Sequence, residues 1–396
     1  MDLSSPASEP PIERYASSSP FTVVDALHRV VADGGSDLHI TAGVPPTMRL
    51  HGSLKPIDGA PVWTAEDVRR EVTSILTAEQ LAQFDSSHEL DFAYPLSPGA
   101  RFRANIYQQR GTTGAVFRFI PTNIKTLGEL GMPRALSRFA EMPRGLVLVT
   151  GPTGSGKSTT LAAMIDQINR TRADHIMTIE DPIEFLHPHR RSIVNQREVG
   201  HDTASFQTAL RQVLRQDPDV ILIGEMRDLE TISVALTAAE TGHLVFGTLH
   251  TQSAPQTIDR IIDVFPPHQQ QQVRTQLAAT LRGVVCQTLV PDARGTGRVA
   301  ATEVLVMTPA VANLIREEQM HQLPGVLQAG SVHGMHTLDQ NLAELVDQGR
   351  ITYEAAEERA QDKDGFRQLA RRSTSGGALG AEPDYGDLYS RRSRRQ

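Results

Sequence analysis

The sequence predicts an α/β fold, in which a smaller domain of mixed helices and strands precedes a larger domain built on a buried parallel sheet. Four short apolar runs alternate with helical stretches in the larger part, at residues 145–150, 175–179, 220–223 and 244–248, and such runs are typical of parallel strands. The first run leads directly into a glycine-rich loop and a helix predicted over residues 159–169. Together these features indicate a nucleotide-type topology.

Length and composition exclude several classes of protein. A chain of 396 residues corresponds to two or three domains at about 150 residues each. The single cysteine, Cys286, excludes an intrachain disulfide, a cysteine-based zinc site and an iron–sulfur cluster. No apolar run approaches the roughly 18 residues that a membrane span needs. The net charge of -7 provides no general attraction for nucleic acid, so neither a membrane span nor a nucleic-acid partner is expected.

Composition also divides the chain. Residues 1–20 contain six serines and four prolines and predict a disordered leader. We expect a first domain over 21–120, a linker with a short helix over 121–143, a second domain over 144–372 and a disordered basic tail over 373–396. In the first domain, apolar spacing predicts a helix from Phe21, a helical stretch over 65–84, and strands at 37–40, 47–50, 90–94, 100–108 and 115–120. In the second, a helical region is expected from about Gln269, with further helices over 313–318, 338–346 and 353–359.

The glycine-rich loop carries the strongest functional signal. It satisfies the pattern G-x-x-x-x-G-K-[ST] between a predicted strand and a predicted helix. Such a loop surrounds phosphates with backbone N–H groups, while the lysine reaches the β- and γ-phosphates and the hydroxyl ligates magnesium. The predicted ATP-binding residues are Gly151, Pro152, Thr153, Gly154, Ser155, Gly156, Lys157, Ser158 and Thr159.

A carboxylate follows another apolar strand. Residues 220–223 run into Gly224 and Glu225, which is the arrangement of a Walker B element, and Glu225 is the candidate general base for ATP hydrolysis. Gly224 stands where an aspartate often holds magnesium, so contact with the metal through water is expected. The alternative is an ordinary carboxylate at the end of a strand.

Two further strands deliver polar residues to the same edge of the sheet, where ligands of open α/β folds bind. Glu180 and Asp181 end the run 175–179 and could hold magnesium or water, or could merely start a turn. His250 follows the run 244–248 and could sense the γ-phosphate, although a structural hydrogen bond is the alternative.

Three arginines of the first domain are candidate phosphate ligands. Alternation along a strand places Arg101 and Arg103 on one face and Phe102 on the other. Arg118 lies in a similar Phe-Arg-Phe run. The three guanidinium groups could clamp phosphate or form a solvated face.

Four blocks of sequence resemble the ATPases of type IV pili and type II secretion, and in particular the branch that retracts pili. The similarity spans about residues 21–366. Its blocks are GPTGSGKST (151–159), the Asp box MTIEDPIEFLH (177–187), the Walker B block LRQDPDVILIGEMRDLETI (214–232) and the His box TGHLVFGTLHT (241–251). SDLHITAGVPPTMRLHG (36–52) is similar to the start of that family's first domain, and AVANLIRE (310–317) resembles the AIRNLIRE signature of the retraction branch, from which Val311 and Ala312 depart.

This resemblance implies a PAS-like N-terminal α+β domain followed by a RecA-like P-loop ATPase domain with a helical C-terminal region. It also implies a homohexameric ring that binds ATP and Mg²⁺ between the two domains. On the matching positions it implies that Lys157 and Ser158 contact phosphate and magnesium and that Glu225 is the catalytic base. Glu180 and His250 would belong to the Asp and His boxes, and Arg101, Arg103 and Arg118 would complete the site from the first domain.

The expected function is therefore a cytoplasmic Mg-ATPase motor, peripheral at the inner-membrane base of the pilus machine. Loss of the γ-phosphate would rotate the first domain against the second, with the hinge in 121–143, and so pull on a membrane platform protein to power retraction and twitching motility. Assembly and secretion relatives usually add a further N-terminal domain and a four-cysteine zinc module. The short predicted leader and the single cysteine of this chain therefore disfavour that branch.

Three alternative functions remain open. One is an accessory paralogue that needs a partner retraction ATPase, and another is a ring subunit that binds ATP without hydrolysing it. The third is a P-loop nucleic-acid translocase, which predicts an ATPase stimulated by DNA or RNA; the net charge and the lack of an aromatic-basic stripe argue against it.

Overall fold

The computed structural model describes residues 21–50, 52–96, 100–120, 123–295 and 297–375, with side chains to residue 370. The predicted leader and the part of the predicted tail beyond Ser375 lie outside these ranges. The chain divides into two compact units, Met1–Asn123 with Glu184–Leu186 and Ile124–Ile183 with His187–Gln396. Each unit is described by itself.

The described residues of the first unit form an antiparallel sheet and three helices. Its six strands lie in the order β3-β2-β1-β6-β5-β4, and every neighbouring pair is antiparallel. The elements are α1 (Val23–Asp33), β1 (Asp37–Ile40), β2 (Thr47–Leu50), β3 (Ser53–Pro56), α2 (Ala65–Thr73), α3 (Ala78–Ser87), β4 (Glu89–Leu96), β5 (Ala100–Gln109) and β6 (Thr112–Ile120). This is the α+β arrangement that the resemblance implied.

The core of this unit forms where the apolar positions of helices and strands meet. In α1, Val23, Leu27 and Val30 are fully buried at helical spacing. The expected helical stretch over 65–84 is two helices, because Ser74 ends α2 and Thr77 begins α3 with a capping box. The short strand β3 was not predicted; all four of its residues are exposed, so it has no apolar alternation to reveal it.

The second unit is a seven-stranded sheet in the order β13-β12-β7-β11-β10-β8-β9. All neighbours are parallel except β12 and β13. Its elements are α4 (Arg134–Glu141), β7 (Gly145–Thr150), α5 (Lys157–Thr171), β8 (His175–Glu180), β9 (Ile193–Glu198), α6 (Phe206–Val213), β10 (Val220–Ile223), α7 (Leu229–Glu240), β11 (Leu244–Leu249), α8 (Ala254–Asp263), α9 (Pro267–Thr280), β12 (Leu281–Pro291), β13 (Arg298–Val306), α10 (Pro309–Arg316), α11 (Leu323–Ala329), α12 (Leu338–Asp347), α13 (Tyr353–Arg359) and α14 (Lys363–Ser375).

The predicted α/β class and all four predicted parallel strands are confirmed, because β7, β8, β10 and β11 occupy those runs. The helical region expected from about Gln269 is present as α9, and the further helices are present as α10, α12 and α13, but the two strands between α9 and α10 were not predicted. The chain leaves α9 after Thr280 and forms the antiparallel pair β12 and β13. The middle of β12 is rich in β-branched and apolar residues and almost wholly buried, which favours a strand within a sheet.

Helix α4, in the segment predicted as a linker, packs against β12 through one glycine. Gly283 lies under the ring of Phe139, and a Cβ atom there would lie well inside van der Waals contact with that ring. We expect Gly283→Ala to lower the free energy of unfolding by about 1–3 kcal/mol, the usual cost of overpacking a core. Chemical denaturation of the two proteins measures the difference.

The matched control is Gly325→Ala, because a Cβ atom at Gly325 meets nothing within 4 Å and the position lies in α11. This control should not lose stability, since alanine favours a helix over glycine. Equal stability of the Gly283→Ala variant and the unmodified protein would contradict the packing seen around Phe139.

Candidate functional site

The candidate site lies where four parallel strands of the second unit end. The P-loop follows β7, His250 follows β11, Glu225 comes two residues after β10, and Glu180 is the last residue of β8. Because β7, β11, β10 and β8 are neighbours in the sheet, their carboxyl ends meet at one edge. The expectation that these residues share one edge is confirmed for the four strands.

Three glycines give the P-loop its conformation. Gly151, Gly154 and Gly156 have φ angles of 141°, 78° and 88°, a range that other residues rarely adopt. Gly156 is the residue before α5, so the helix begins at Lys157. The loop therefore presents the N-terminus of a fifteen-residue helix, which is a favourable place for an anion.

Two further observations fit a phosphate group. The hydroxyl oxygen of Ser155 is buried and has no hydrogen-bond partner among the described residues. The amine of Lys157 donates hydrogen bonds to the carbonyl oxygens of Gly151, at 2.8 Å, and Pro152, at 3.1 Å, so the charge lies on the loop itself. Ser158 is exposed in the first turn of α5, where its hydroxyl is accessible to a metal ion.

The pKa of Lys157 is influenced by the carboxylate of Glu225. Partial burial lowers the pKa of Lys157, and the negative charge of Glu225 opposes that shift. The structure thus brings together two residues that the sequence separates by 68 positions. The electrostatic influence of one residue on the other fits a P-loop lysine and a Walker B carboxylate that belong to one site.

The Glu225 carboxylate is held from two sides. Arg227 donates to it through Nη2 at 2.6 Å and lies with Nε 2.5 Å from Oε1, while His250 Nε2 is 3.0 Å from Oε1. The backbone is fixed as well, because Met226 N donates to the carbonyl of Thr248 at 3.0 Å. The segment after β10 is therefore hydrogen-bonded to β11, and the Glu225 carboxylate has a defined position.

Burial raises the pKa of Glu225, but the hydrogen bond and positive charge of Arg227, with a smaller contribution from His250, outweigh burial and hold the pKa below its ordinary value. Glu225 is therefore ionised at neutral pH. An ionised carboxylate can accept a proton, which a general base must do.

Gly224 allows β10 to end close to β8. A Cβ atom there would lie 3.2 Å from the Cα atom of Glu180 and 3.2 Å from the carbonyl oxygen of Ile179, so a side chain at this position is disfavoured. The Glu180 carboxylate is buried, and its Oε1 accepts hydrogen bonds from Thr178 at 2.7 Å and Gln196 at 3.3 Å. Glu180 is thus held within the sheet edge.

A cavity of about 420 Å³ opens beside the carboxylate, and its lining includes two arginines that the sequence analysis did not select, Arg227 and Arg260. Its full lining is Glu225, Met226, Arg227, Leu249, His250, Thr251 and Arg260. The volume is within the range of small-ligand sites. The nearness of Arg227 to Glu225 in sequence was a signal that could have identified it, whereas Arg260 lies on α8 and gave none.

The three arginines of the first unit lie on neighbouring strands. Arg103 of β5 is directly opposite Arg118 of β6, and Phe102 is fully buried, so the alternation predicted for β5 is present. Arg118 pairs with Asp37, with Nε 2.8 Å from Oδ1. Any contact of Arg101, Arg103 or Arg118 with phosphate stays a prediction.

The described residues offer neither a membrane-spanning helix nor a metal cluster. None of their helices is both long enough and apolar enough to cross a bilayer. Within the same ranges, no group of three or more His, Cys, Asp or Glu side chains is placed to hold a metal ion.

Comparison with known proteins agrees with the geometry. Residues 111–375 match the family described as "Type II/IV secretion system protein". The chain is 51% identical over 344 residues to the type IV pilus retraction ATPase PilT of Pseudomonas aeruginosa, covering 87% of this chain and 99% of that protein. It is 44% identical over 364 residues to the type IV pilus ATPase PilU of the same organism, covering 92% and 93%.

The fold has a close counterpart among solved structures. A crystal structure of the pilus retraction motor PilT with bound ADP superposes with a TM-score of 0.82 at 45% identity, over 88% of this chain and 99% of that one. That structure holds an adenine nucleotide, which is the ligand class that the P-loop indicates here.

Proposed function

Because the chain belongs to the type II/IV secretion system protein family, we propose that it is the motor that retracts type IV pili, acting as a homohexamer. The chain is an ATPase and binds nucleotide. The observation that carries the proposal is the ionised Glu225 at the same sheet edge as the P-loop, in a chain 51% identical to a retraction ATPase over 87% of its length.

The residues of the second unit divide the chemistry of ATP hydrolysis among them. The N–H groups of the loop 151–159 and the amine of Lys157 bind the phosphates. Ser158 would hold Mg²⁺, which supplies neutralisation of phosphate charge when bound. Glu225 accepts a proton from the attacking water, and His250 and Arg227 hold the carboxylate in place. The buried carboxylate of Glu180 lies at the same edge of the sheet, at the end of β8.

The roles proposed for the first unit, for the location of the motor and for its partner rest on the same family resemblance. Arg101, Arg103 and Arg118 are proposed to contribute positive charge to the nucleotide, and loss of the γ-phosphate to rotate the first unit against the second. The motor would work on the cytoplasmic side, at the inner-membrane base of the pilus, against a platform protein. Twitching motility would be the result in the cell.

The pairing of Glu225 with Arg227 predicts a change in pH dependence. Since Arg227 is the chief group that lowers the pKa of Glu225, Arg227→Gln should raise that pKa. A base is active only above its pKa, so the acid limb of the kcat/KM profile for ATP should move to higher pH. Turnover measured across the acid range checks the direction.

Arg211→Gln is the matched control, because Arg211 also pairs with a carboxylate of this unit, Glu230, which lines no part of the cavity. Its profile should coincide with that of the unmodified protein. An acid limb of the Arg227→Gln variant that stays in place or moves to lower pH would contradict the assigned base.

Cells that lack this chain test the proposed function. Without retraction, pili should be assembled but not withdrawn, so we expect cells with more surface pili and no twitching. The unmodified gene should restore both properties, and the Glu225→Gln gene should restore neither. Loss of surface pili would instead indicate an assembly motor and overturn the proposal.

A second candidate is an accessory ATPase that needs a partner. The 44% identity to PilU over 92% of the chain favours it enough to test. Such a protein would not hydrolyse ATP by itself at the rate of a motor.

A further inference from the structure

One buried residue outside the sequence motifs contacts both ends of the P-loop. Gln287 lies on β12, next to the residue pair Cys286 and Thr150 that joins β12 to β7, and it is 4% exposed. Its side-chain amide donates to the carbonyl oxygen of Ser155 at 2.7 Å. Its Oε1 accepts from the hydroxyl of Thr160 at 2.8 Å. The side chain thus bridges the loop and the first turn of α5.

The position of Gln287 also explains why two positions of the P-loop are occupied by glycine. A Cβ atom at Gly151 would collide with the carbonyl oxygen of Gln287, and one at Gly156 would lie 2.8 Å from its Nε2 atom. Gln287 therefore fills the space that side chains at these two positions would need. The loop and Gln287 fit each other at the first glycine, at the last glycine and at the peptide between Ser155 and Gly156.

The bond to Ser155 has a consequence for phosphate binding. The Ser155 carbonyl and the Gly156 N–H belong to one planar trans peptide, in which the two groups point in opposite directions. Fixing the carbonyl toward Gln287 therefore fixes the N–H away from it. If this peptide were free to rotate, it could present its oxygen to an anionic phosphate, which would weaken binding.

We propose that Gln287 is a positioning residue for the nucleotide: it orients the Ser155–Gly156 peptide so that the P-loop is ready to bind phosphate. This inference rests on the proposed function only in taking ATP and ADP as the ligands. The role acts through the loop, so it concerns affinity for nucleotide more than the rate of the chemical step. Replacing the amide should raise KM and leave kcat at saturating ATP largely unchanged.

Two variants test the role. Gln287→Met keeps the size of the side chain and removes both hydrogen bonds, whereas Gln287→Glu can still accept from Thr160 but cannot donate to Ser155 when ionised. We expect both to bind ADP and a non-hydrolysable ATP analogue about tenfold more weakly or worse, the scale of one or two buried hydrogen bonds. Calorimetry on the purified full-length protein gives the two dissociation constants, and steady-state kinetics give KM and kcat.

Val285→Ala is the matched control for stability. Val285 is fully buried on the same strand and belongs to the apolar core, so the variant should unfold at lower temperature and keep its affinity for nucleotide. Should Gln287→Met fail to fold, Gln287→Leu replaces it, because leucine also removes both hydrogen bonds without adding a charge.

The outcomes separate this inference from the proposed function. If the unmodified protein binds nucleotide and the folded Gln287 variants bind it equally well, Gln287 is only a structural residue and the inference is overturned. A kcat that falls with KM unchanged would also overturn it. If the unmodified protein binds no nucleotide, the ATPase function itself fails.

Discussion

Glu225→Gln should lower ATP turnover at least about a hundredfold, within the usual contribution of general acid–base catalysis. The amide is the same size as the carboxylate, but it cannot accept a proton from water. Nucleotide affinity should persist, because the P-loop contributes the phosphate contacts. Turnover and ADP affinity, measured on one preparation, separate the two effects.

Glu230→Gln is the control for this substitution. Glu230 lies on α7 of the same unit and pairs with Arg211, so the change removes an equal charge away from the cavity. Its turnover should match that of the unmodified protein. A Glu225→Gln variant that retains more than a tenth of the original turnover would exclude Glu225 as the base.

Lys157→Ala should remove most of the affinity for nucleotide. In this structure the amine donates to the loop carbonyls of Gly151 and Pro152. It carries the only side-chain positive charge within the motif, and it is the group proposed to bind the β- and γ-phosphates. Hydrogen bonds to charged groups contribute about 1.5–3 kcal/mol, so we expect binding to weaken at least about tenfold and turnover to fall with it. Calorimetry with ADP and with an ATP analogue measures the loss.

Lys125→Ala is the control, since Lys125 is exposed and lies outside the motif. It should bind nucleotide as the unmodified protein does. Undiminished affinity of the Lys157→Ala variant would show that the P-loop is not the nucleotide site.

The strands that carry the site were predictable because they are buried on both faces. β7, β10 and β11 are continuous runs of buried, largely apolar residues, and each ends at a residue with recognisable chemistry. A local pattern was enough to place Lys157, Glu225 and His250 at one edge. In the same way, the exposed and buried alternation along β5 was visible from Arg101, Phe102 and Arg103 alone.

The contacts that shape the site were not predictable, because they join distant parts of the chain. Gln287 and Thr160 are 127 residues apart, and their contact depends on β12 lying beside β7. Since β12 follows a long helix and its alternation is hidden by burial on both faces, periodicity did not reveal the strand. Arg260 likewise reaches the cavity only through the packing of α8.

The proposed motor function requires that this chain by itself form a working ATPase ring. The most direct test is to measure the ATP turnover and the mass of the purified protein in the same sample. We expect a particle of about 260 kDa, six times the 43.3 kDa chain, that hydrolyses ATP at least about a hundredfold faster than its Glu225→Gln variant. A wild-type protein no more active than that variant would contradict the claim and indicate a scaffold or a partner-dependent subunit.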